Sequence, residues 1–317
     1  MQEAVSRSDV LEARDRIAGL VERTPLVETE LPSGTLWLKC ECLQTGGAFK
    51  LRGAINRLLQ LSQEERERGV VAFSSGNHAR GVAIAARRMG IRAVIVMPAD
   101  APQVKIDGTR AEGAEIVFYD RRNESREEIA GKISSETGAV VVPSFDDPAI
   151  VAGQGTVGLE VLEQLAELGQ QPSQIVIPCG GGGLASGIAL ACPDAEIVVV
   201  EPEGWDDMRR SLQAGAIVSV ESEAPPTLCD ALQTPRVANL TYGILRDRGA
   251  RALSVTEAEV TAAMRFVFER NSLTVEPGGA AALAALLAGK GDIQPGTVAI
   301  LSGGNVDPAL HARIVNG

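Results

Sequence analysis

The sequence of 317 residues is poor in several residue types, and each shortage argues against a class of protein. Aromatic residues make up only 3% of the chain, which argues against the stacking platforms that bind single-stranded nucleic acid. The formal net charge is −11, so the surface would repel nucleic acid and anionic membranes. We therefore expect neither of these as a partner.

Cysteine and histidine are also scarce. The five cysteines form no C-x-x-C pair and are odd in number, which argues against both a disulfide framework and a zinc knuckle. The two histidines are too few for the usual zinc sites. No apolar run approaches the ~18–20 residues that span a bilayer, and residues 1–17 are typical of an amphipathic helix, not of a signal peptide. A cytoplasmic protein is expected.

The chain does show a regular alternation of short apolar runs and helical patterns. Strands are predicted at residues 36–39, 70–73, 93–97, 115–119, 139–142, 175–177, 197–200 and 298–301. Helices are predicted at residues 8–22, 77–89, 102–112, 123–136, 155–168 and 183–191, and a further helix begins at Thr256 with a capping box. This rhythm predicts an α/β fold with parallel sheets and flanking helices.

The pattern also suggests two domains. We predict a small domain at residues 69–146, inserted in a large domain built from residues 1–68 and 147–317. Ligands of open α/β sheets bind at the carboxyl ends of the strands. Three polar loops stand there: residues 74–78 (the serine loop), residues 180–183 (the glycine loop) and residues 302–305.

Lys50 is the first candidate for chemistry. Small residues precede it, Phe49 stands beside it, and a helical pattern follows it. An amine in such partly dry surroundings has a lowered pKa and becomes a nucleophile. The alternative is an ordinary solvated lysine at a helix start.

The glycine loop and the serine loop can each be interpreted in more than one way. Four consecutive glycines between a strand and a helix favour phosphate binding, or simply form a tight turn. Gly180, Gly182 and Ala185 also match G-x-G-x-x-A, with Glu201 about 20 residues on, which would indicate a nucleotide-binding oxidoreductase. The serine loop either holds a carboxylate or caps a helix.

Together these stretches resemble the pyridoxal-phosphate (PLP) enzymes of fold type II, the tryptophan-synthase-β type. The nearest groups are the serine/threonine dehydratases and the serine racemases. The motifs that carry the resemblance are residues 45–54, 74–78, 152–156, 180–183, 201–202 and 302–308. The resemblance implies a two-lobed α/β fold with the active site in the cleft between the lobes.

The resemblance also implies roles for individual residues around the cofactor. Lys50 would be the Schiff-base lysine that also moves the α-proton, Phe49 would pack on the pyridine ring, and Asn77 would bond the 3-hydroxyl. The phosphate would be cradled by Gly180, Gly181, Gly182 and Gly183. Ser302 would face the pyridine nitrogen; because a hydroxyl does not hold that nitrogen protonated, β-elimination is favoured over transamination.

The reaction implied is the conversion of a small L-β-hydroxy amino acid, such as threonine or serine, to a 2-oxo acid and ammonia. The residues expected to contact this substrate are Ser74, Ser75, Gly76, Asn77, His78 and Gln154. A serine or other amino-acid racemase and a 3-hydroxyaspartate dehydratase are alternatives within the fold. For racemisation, Ser75 would be the catalytic base on the opposite face, although Ala231 stands where racemases have a glycine, and Ala48 replaces the usual serine of the lysine motif.

A divalent cation is a further possibility that the resemblance raises. The loop that begins at Glu201 resembles the cation loop of serine racemases, with ligands from Glu201, the Trp205 carbonyl and Asp207, and with Mg²⁺ or another divalent cation bound. The alternative is a helix start with acidic residues at the positive end of its dipole. We also expect a homodimer.

Overall fold

The structure is a computed structural model that describes residues 5–74, 76–101, 103–121 and 123–317. Its strands are β1 Leu26–Leu31, β2 Gly34–Lys39, β3 Val70–Phe73, β4 Ala93–Pro98, β5 Glu115–Tyr119, β6 Val140–Val141, β7 Gln174–Pro178, β8 Glu196–Pro202, β9 Arg251–Val255 and β10 Thr297–Ile300. Its α-helices are α1 Arg7–Ile17, α2 Lys50–Leu59, α3 Gln63–Arg68, α4 Asn77–Met89, α5 Gln103–Ala111, α6 Arg126–Thr137, α7 Pro148–Glu167, α8 Gly183–Ala191, α9 Asp207–Ala214, α10 Asn239–Asp247, α11 Glu257–Asn271, α12 Pro277–Leu287 and α13 Pro308–Asn316.

The strands form two sheets. One has the order β1-β2-β10-β7-β8-β9, and the other has the order β5-β4-β3-β6. Apart from the antiparallel pair of β1 and β2, all neighbouring strands are parallel. The predicted α/β fold with parallel sheets is confirmed. All strands of the second sheet come from residues 70–141, inside the segment predicted as the small domain, although the domain division itself stays a prediction.

Helices cover both faces of the larger sheet, which explains its uninterrupted apolar strands. Successive residues of β7 enter different cores: Ile175 and Ile177 pack with residues of α1, α7 and α8, and Val176 packs with residues of α11 and α12. The alanine-rich α12 is buried from Pro277 through Leu286. Such packing holds the carboxyl ends of the strands rigidly, and the polar loops project from these ends.

Two predicted helix boundaries were wrong. Helix α7 begins at Pro148 and not at residue 155, because Asp147 accepts a hydrogen bond from the Ile150 N–H at 2.9 Å and caps the helix, with proline as its first residue. Its glycines lie inside the helix, where Gly155 meets the backbone of Gly187 in α8. Helix α1 ends at Ile17 and not at residue 22.

Several elements were not predicted from the sequence, among them β1, β9, α3, α10, α12 and α13. Helix α9 matches the helix start that was the alternative interpretation of the loop after Glu201. In the described part of the chain, no helix has both the length and the apolar character that a membrane span requires.

Candidate active site

A central pocket is lined by residues that follow strands of both sheets. It contains the side chain of Lys50 and residues from the three predicted loops: Ser74, Gly76, Asn77, His78, Gly180, Gly181, Gly182, Gly183 and Ser302, together with Phe49. The structure thus brings together the predicted cofactor residues. Ser75, the predicted racemase base, lies outside the described residues.

Two segments far apart in sequence meet beside this pocket. The Phe49 N–H donates to the Ser302 carbonyl at 3.2 Å, and the Gly304 N–H donates to the Gly47 carbonyl at 2.8 Å. An isolated antiparallel bridge lies between these two hydrogen bonds. Because of this pairing, Lys50 and Ser302 face the same pocket.

Lys50 is the first residue of α2 and is half-buried. Its Nζ donates to the Ser144 carbonyl at 2.9 Å and lies 5.2 Å from the centre of the Phe49 ring. Burial lowers the pKa of Lys50 to about 8, so about a tenth of the amine is neutral at pH 7. This is the lowered pKa expected of a nucleophilic lysine, and the alternative of a solvated lysine does not describe it.

A buried ionic network supports the helix that carries Lys50. Arg52 is fully buried and forms a bidentate ion pair with Glu41, at 2.8 Å for each contact. It also contacts Glu160 at 2.6 Å, and Glu160 in turn pairs with Lys39 at 2.5 Å. The network joins α2 to α7 and to the segment after β2, which fixes the start of α2.

The glycine loop connects the end of β7 to the start of α8. Gly182 is the N-cap of α8 and has a φ of +85°, a conformation that favours glycine. In the part of the chain that the structure describes, the amides of Gly180, Gly181 and Gly183 donate to no backbone oxygen, whereas the Gly182 N–H donates to the Cys179 thiol. Free amides at a helix N-terminus, facing a pocket, fit a phosphate group.

The serine loop leads into α4. Gly76 is the N-cap and has no side chain with which to cap the helix, so among the described residues the first amides of α4 remain available to an anion such as a carboxylate. His78 is 2% exposed, and its Nε2 lies 2.9 Å from the Val142 carbonyl. Burial, together with the charge of Lys50, lowers the pKa of His78 to about 3. The imidazole is therefore neutral and adds no positive charge to the loop.

Glu276 is a pocket residue that the sequence reasoning missed. It is 2% exposed, and the Asn77 Nδ2 donates to its Oε1 at 2.5 Å. Burial, then repulsion from Asp230, raises the pKa of Glu276 to about 7. A signal existed in the sequence, because Glu276 is the one charged residue in the apolar stretch 272–289.

Charged residues from the smaller sheet's side of the pocket were also missed. Lys105, Arg121 and Arg126 line the pocket together with Asp230. Lys105 forms an ion pair with Asp230, and the Arg126 guanidinium lies 5.5 Å from the centre of the Phe73 ring. In the sequence these residues look like ordinary solvated charges.

Gln154, predicted to contact the substrate, is fully buried in α7. Its Oε1 accepts a hydrogen bond from the Gly53 N–H at 3.2 Å. It is not among the residues that line the pocket. In this geometry Gln154 contacts α2, the helix that begins at Lys50, and does not face the pocket.

The candidate metal loop shows features of both interpretations. The Glu201 carboxylate accepts hydrogen bonds from the N–H groups of Met208 and Arg209, at 3.0 and 2.8 Å, as an acid at a helix start does. Within the described residues, neither oxygen of the buried Asp207 forms a hydrogen bond of full geometry. Burial raises the pKa of Asp207 to about 7, although the N–H groups of Asp207 and Val237 act in the opposite direction. Among the described residues, no group of three or more His, Cys, Asp and Glu side chains is placed to hold a metal ion, and the predicted set has only two carboxylates.

The alternative of a dinucleotide site fails at Glu201. This carboxylate is fully buried and bound to the backbone of α9, so it cannot reach a ribose hydroxyl at the glycine loop.

The pocket residues suit each polar group of pyridoxal phosphate. The Lys50 amine can bind the aldehyde, and the free amides of Gly180, Gly181 and Gly183 can hold the phosphate. Asn77 and Ser302 offer polar groups to the ring substituents, and all of these residues line one pocket. The residues present therefore fit the cofactor.

Comparisons with known proteins agree with this fit. Residues 17–303 match the family model described as pyridoxal-phosphate dependent enzyme. An L-threo-3-hydroxyaspartate ammonia-lyase from Pseudomonas sp is 41% identical over 98% of this chain and 99% of the relative. An L-threonine ammonia-lyase from Thermotoga maritima is 40% identical over 98% of this chain and 78% of the relative.

A solved structure shows the same likeness in three dimensions. Maize serine racemase superposes with a TM-score of 0.91 and 37% sequence identity, over 98% of this chain and 97% of the other. The oxidoreductase alternative is thereby excluded, and the chain belongs to the family of pyridoxal-phosphate dependent enzymes.

Proposed function

We propose that this protein converts a small L-β-hydroxy amino acid to a 2-oxo acid and ammonia by β-elimination. Bound pyridoxal phosphate supplies the electron sink that makes the Cα–H bond of an amino acid acidic. The observation that carries the proposal is the amine of Lys50 in one pocket with the glycine loop and Ser302. Relatives named as ammonia-lyases support it.

Different residues of the pocket have different roles in the reaction. Lys50, with a pKa of about 8, can take up the α-proton near neutral pH. The start of α4 binds the α-carboxylate through its free amides. The Ser302 hydroxyl cannot keep a ring nitrogen protonated as a carboxylate would, so loss of the β-hydroxyl as water is favoured. A second water then releases ammonia, which leaves the 2-oxo acid.

A test of the chemistry is direct. Purified protein with the cofactor should absorb at about 410–420 nm, as lysine-bound pyridoxal phosphate does, and Lys50→Ala should abolish the band. Release of 2-oxo acid from a panel of L-threonine, L-serine and L-threo-3-hydroxyaspartate should accompany the band. A wild-type protein without the band, or without oxo-acid release from every member of the panel, would contradict the proposal.

Within this substrate class we propose a preference for an acidic side chain. Three cationic residues line the pocket in addition to Lys50, namely Lys105, Arg121 and Arg126. The α-carboxylate is already accommodated by the start of α4. In the structure Lys105 pairs with Asp230, Arg121 with Asp100 and Arg126 with Glu127, and a second carboxylate, as in 3-hydroxyaspartate, can replace such a partner. The Pseudomonas relative is named for that substrate.

Arg126→Gln tests the preference, with Arg110→Gln as a matched control. Both guanidinium groups lie over a phenylalanine ring, at 5.5 Å from Phe73 and 5.7 Å from Phe118, but only Arg126 is among the pocket residues. We expect Arg126→Gln to lower kcat/KM for L-threo-3-hydroxyaspartate by about 10–100-fold, the loss typical of a charge-assisted contact, and to change the value for L-threonine much less. An equal loss for both substrates would refute the preference.

Racemisation stays an alternative activity because a serine racemase has nearly the same fold. Its proposed base, Ser75, can be tested by Ser75→Ala. The variant should keep oxo-acid release and lose any formation of the D-enantiomer. Equal loss of both activities would indicate that Ser75 serves substrate binding.

We also propose a divalent cation between Glu201, the Trp205 carbonyl and Asp207. The support is the buried Asp207 carboxylate: among the described residues neither oxygen forms a hydrogen bond of full geometry, although the N–H groups of Asp207 and Val237 act on it, and buried charges are normally paired or bound to a metal. The cation would stabilise the start of α9 and take no part in the reaction. EDTA should lower the thermal stability of the wild type, and Mg²⁺ or Ca²⁺ should restore it; unchanged stability would count against the site.

The remaining proposals concern the domain division, the oligomeric state and the location of the protein. We propose that the two sheets mark two domains, residues 69–146 and the rest of the chain, with the site in the cleft between them. A homodimer is proposed because four large apolar side chains are exposed in the described part of the chain, namely Leu43, Phe118, Leu168 and Phe268, and sedimentation would test it. Five free buried cysteines suit a reducing, cytoplasmic location.

A further inference from the structure

A chain of polar side chains links Arg80 to Glu276 along the wall of the central pocket. Arg80 donates to the Asn305 Oδ1 at 3.0 Å, and the Asn305 Nδ2 donates to the Gly46 carbonyl at 2.7 Å. The same Nδ2 donates to the Asn77 Oδ1 at 2.8 Å, and the Asn77 Nδ2 donates to the Glu276 carboxylate. Asn77 is the only one of these that was expected to contact the cofactor.

The residues at the two ends of this hydrogen-bonded series fix the orientation of the Asn305 and Asn77 amides. A guanidinium only donates and a backbone carbonyl only accepts, so Arg80 and Gly46 determine which way round Asn305 lies. Asn305 therefore offers an N–H to Asn77. The ionised Glu276 carboxylate only accepts, so at a pH above its pKa of about 7 it holds the Asn77 N–H groups on the opposite side. Turning the Asn77 amide over would set its carbonyl against the Glu276 carboxylate.

Two glycines leave the room that this chain needs. A Cβ at Gly47 would overlap the Asn305 amide. A Cβ at Gly303 would overlap the Glu276 Oε1 and would lie 3.0 Å from the Asn77 Nδ2. Both glycines belong to the motifs that the sequence displays most clearly, one before Lys50 and one after Ser302.

A helix-capping role does not explain the position of Glu276. Glu276 is the N-cap residue of α12, yet its side chain forms no capping hydrogen bond. The carboxylate turns into the pocket instead, where burial is costly for a charge. The charged groups that influence it there are Asp230, which raises its pKa, and Lys105, which lowers it, besides the amide of Asn77.

We infer that Glu276 is a positioning residue that locks the Asn77 amide with an N–H directed at the 3-oxygen of the bound cofactor. The inference rests on the proposed function only for the position of the cofactor ring beside Asn77. Glu276 acts through Asn77, and Asn305 completes the lock from the other side. Glutamine at position 276 would release the lock, because its amide can donate as well as accept and so permits both orientations of Asn77.

The test compares four single variants and one double variant with the wild type, by cofactor affinity and by the absorption spectrum of the lysine-bound cofactor. Glu276→Gln should weaken pyridoxal phosphate binding about tenfold or more and shift or broaden the band. Glu276→Asp keeps an acceptor-only group and should fall between Glu276→Gln and the wild type. Glu259→Gln, which alters a partly buried carboxylate in the capping box of α11, should leave both readouts unchanged.

Asn305→Asp opens the lock without touching Glu276, because an aspartate cannot donate to Asn77. It should shift the band in the same direction, and the double variant Asn305→Asp/Glu276→Gln should lose less than the sum of the two single losses. If Glu276→Gln and Asn305→Asp both bind the cofactor with the wild-type affinity and spectrum, the inference is wrong while the proposed function stands. A wild-type protein that forms no lysine-bound band would overturn the proposed function as well.

Discussion

Replacing Glu276 with glutamine should make the cofactor-free protein more stable at neutral and alkaline pH. Burial and the nearby Asp230 raise the pKa of this carboxyl from 4.5 to about 7. At about 1.4 kcal/mol for each pKa unit, the ionised carboxylate costs the folded state about 3 kcal/mol. Glutamine has nearly the same shape and can accept the Asn77 hydrogen bond, but it carries no charge.

The sign of the pH dependence follows from proton binding. Between pH 4.5 and about 7 the folded wild-type protein holds this proton more tightly than the unfolded chain does. The contribution of Glu276 to the free energy of unfolding therefore falls as the pH rises through this window, and it is constant above it. We expect the Glu276→Gln variant to exceed the wild type by about 3 kcal/mol at pH 8 and by about 1 kcal/mol at pH 5.5.

Urea denaturation of the cofactor-free proteins from pH 5.5 to 8.5 measures the difference. Glu259→Gln is a control for which the stability change should have the opposite sign. Partial burial raises the pKa of Glu259, but the ion pair with Lys290 and the hydrogen bonds with Thr256 outweigh it and leave this pKa below its ordinary value. That variant should be less stable than the wild type at pH 8 and approach it at lower pH. A Glu276→Gln variant whose stability difference does not grow with pH would refute the reasoning, because it would mean that Lys105 compensates the buried charge.

Three other outcomes are expected. The rate at which cofactor-free protein captures pyridoxal phosphate on Lys50, followed by the absorption of the bound form, should rise with pH and level off above about 8; a rate still rising at pH 10 would mean that the amine is solvated. Glu41→Gln should lower the free energy of unfolding by about 3–5 kcal/mol, because it leaves the buried Arg52 short of a charge partner, and urea denaturation that shows less than 1 kcal/mol would contradict this. Asp207→Asn should be more stable than the wild type in EDTA but gain nothing from added Ca²⁺ or Mg²⁺, which differential scanning calorimetry can test; equal gains in both proteins would count against the metal site.

The sequence predicted the parts of the site that follow a strand and carry a distinctive residue. Asn77, Ser302 and the glycine loop stand at such positions, Lys50 stands in a distinctive local motif, and the structure places all of them at one pocket. The start of α7 was missed although Asp147 followed by proline is a helix-start signal; Gly153, Gly155 and Gly158 lie inside this helix. Those glycines are buried packing positions, a feature of tertiary structure that spacing along the chain does not reveal.

The polar residues that were missed have a different explanation. Glu276 enters the pocket from the start of α12, and Lys105 enters it from α5. Neither follows a strand directly, and neither forms part of a local motif. Their role depends on how elements distant in sequence pack together, so only the three-dimensional arrangement shows that they share a site with Lys50.

The position of β10 has a consequence for biosynthesis. This strand lies between β2 and β7 in the six-stranded sheet, so the β1–β2 hairpin has no neighbour to join until residue 300 has left the ribosome. The four-stranded sheet, by contrast, is complete once residue 141 has emerged. We expect a nascent chain to fold this second sheet first, and to become able to take up its vitamin-derived cofactor only after translation has passed Ser302.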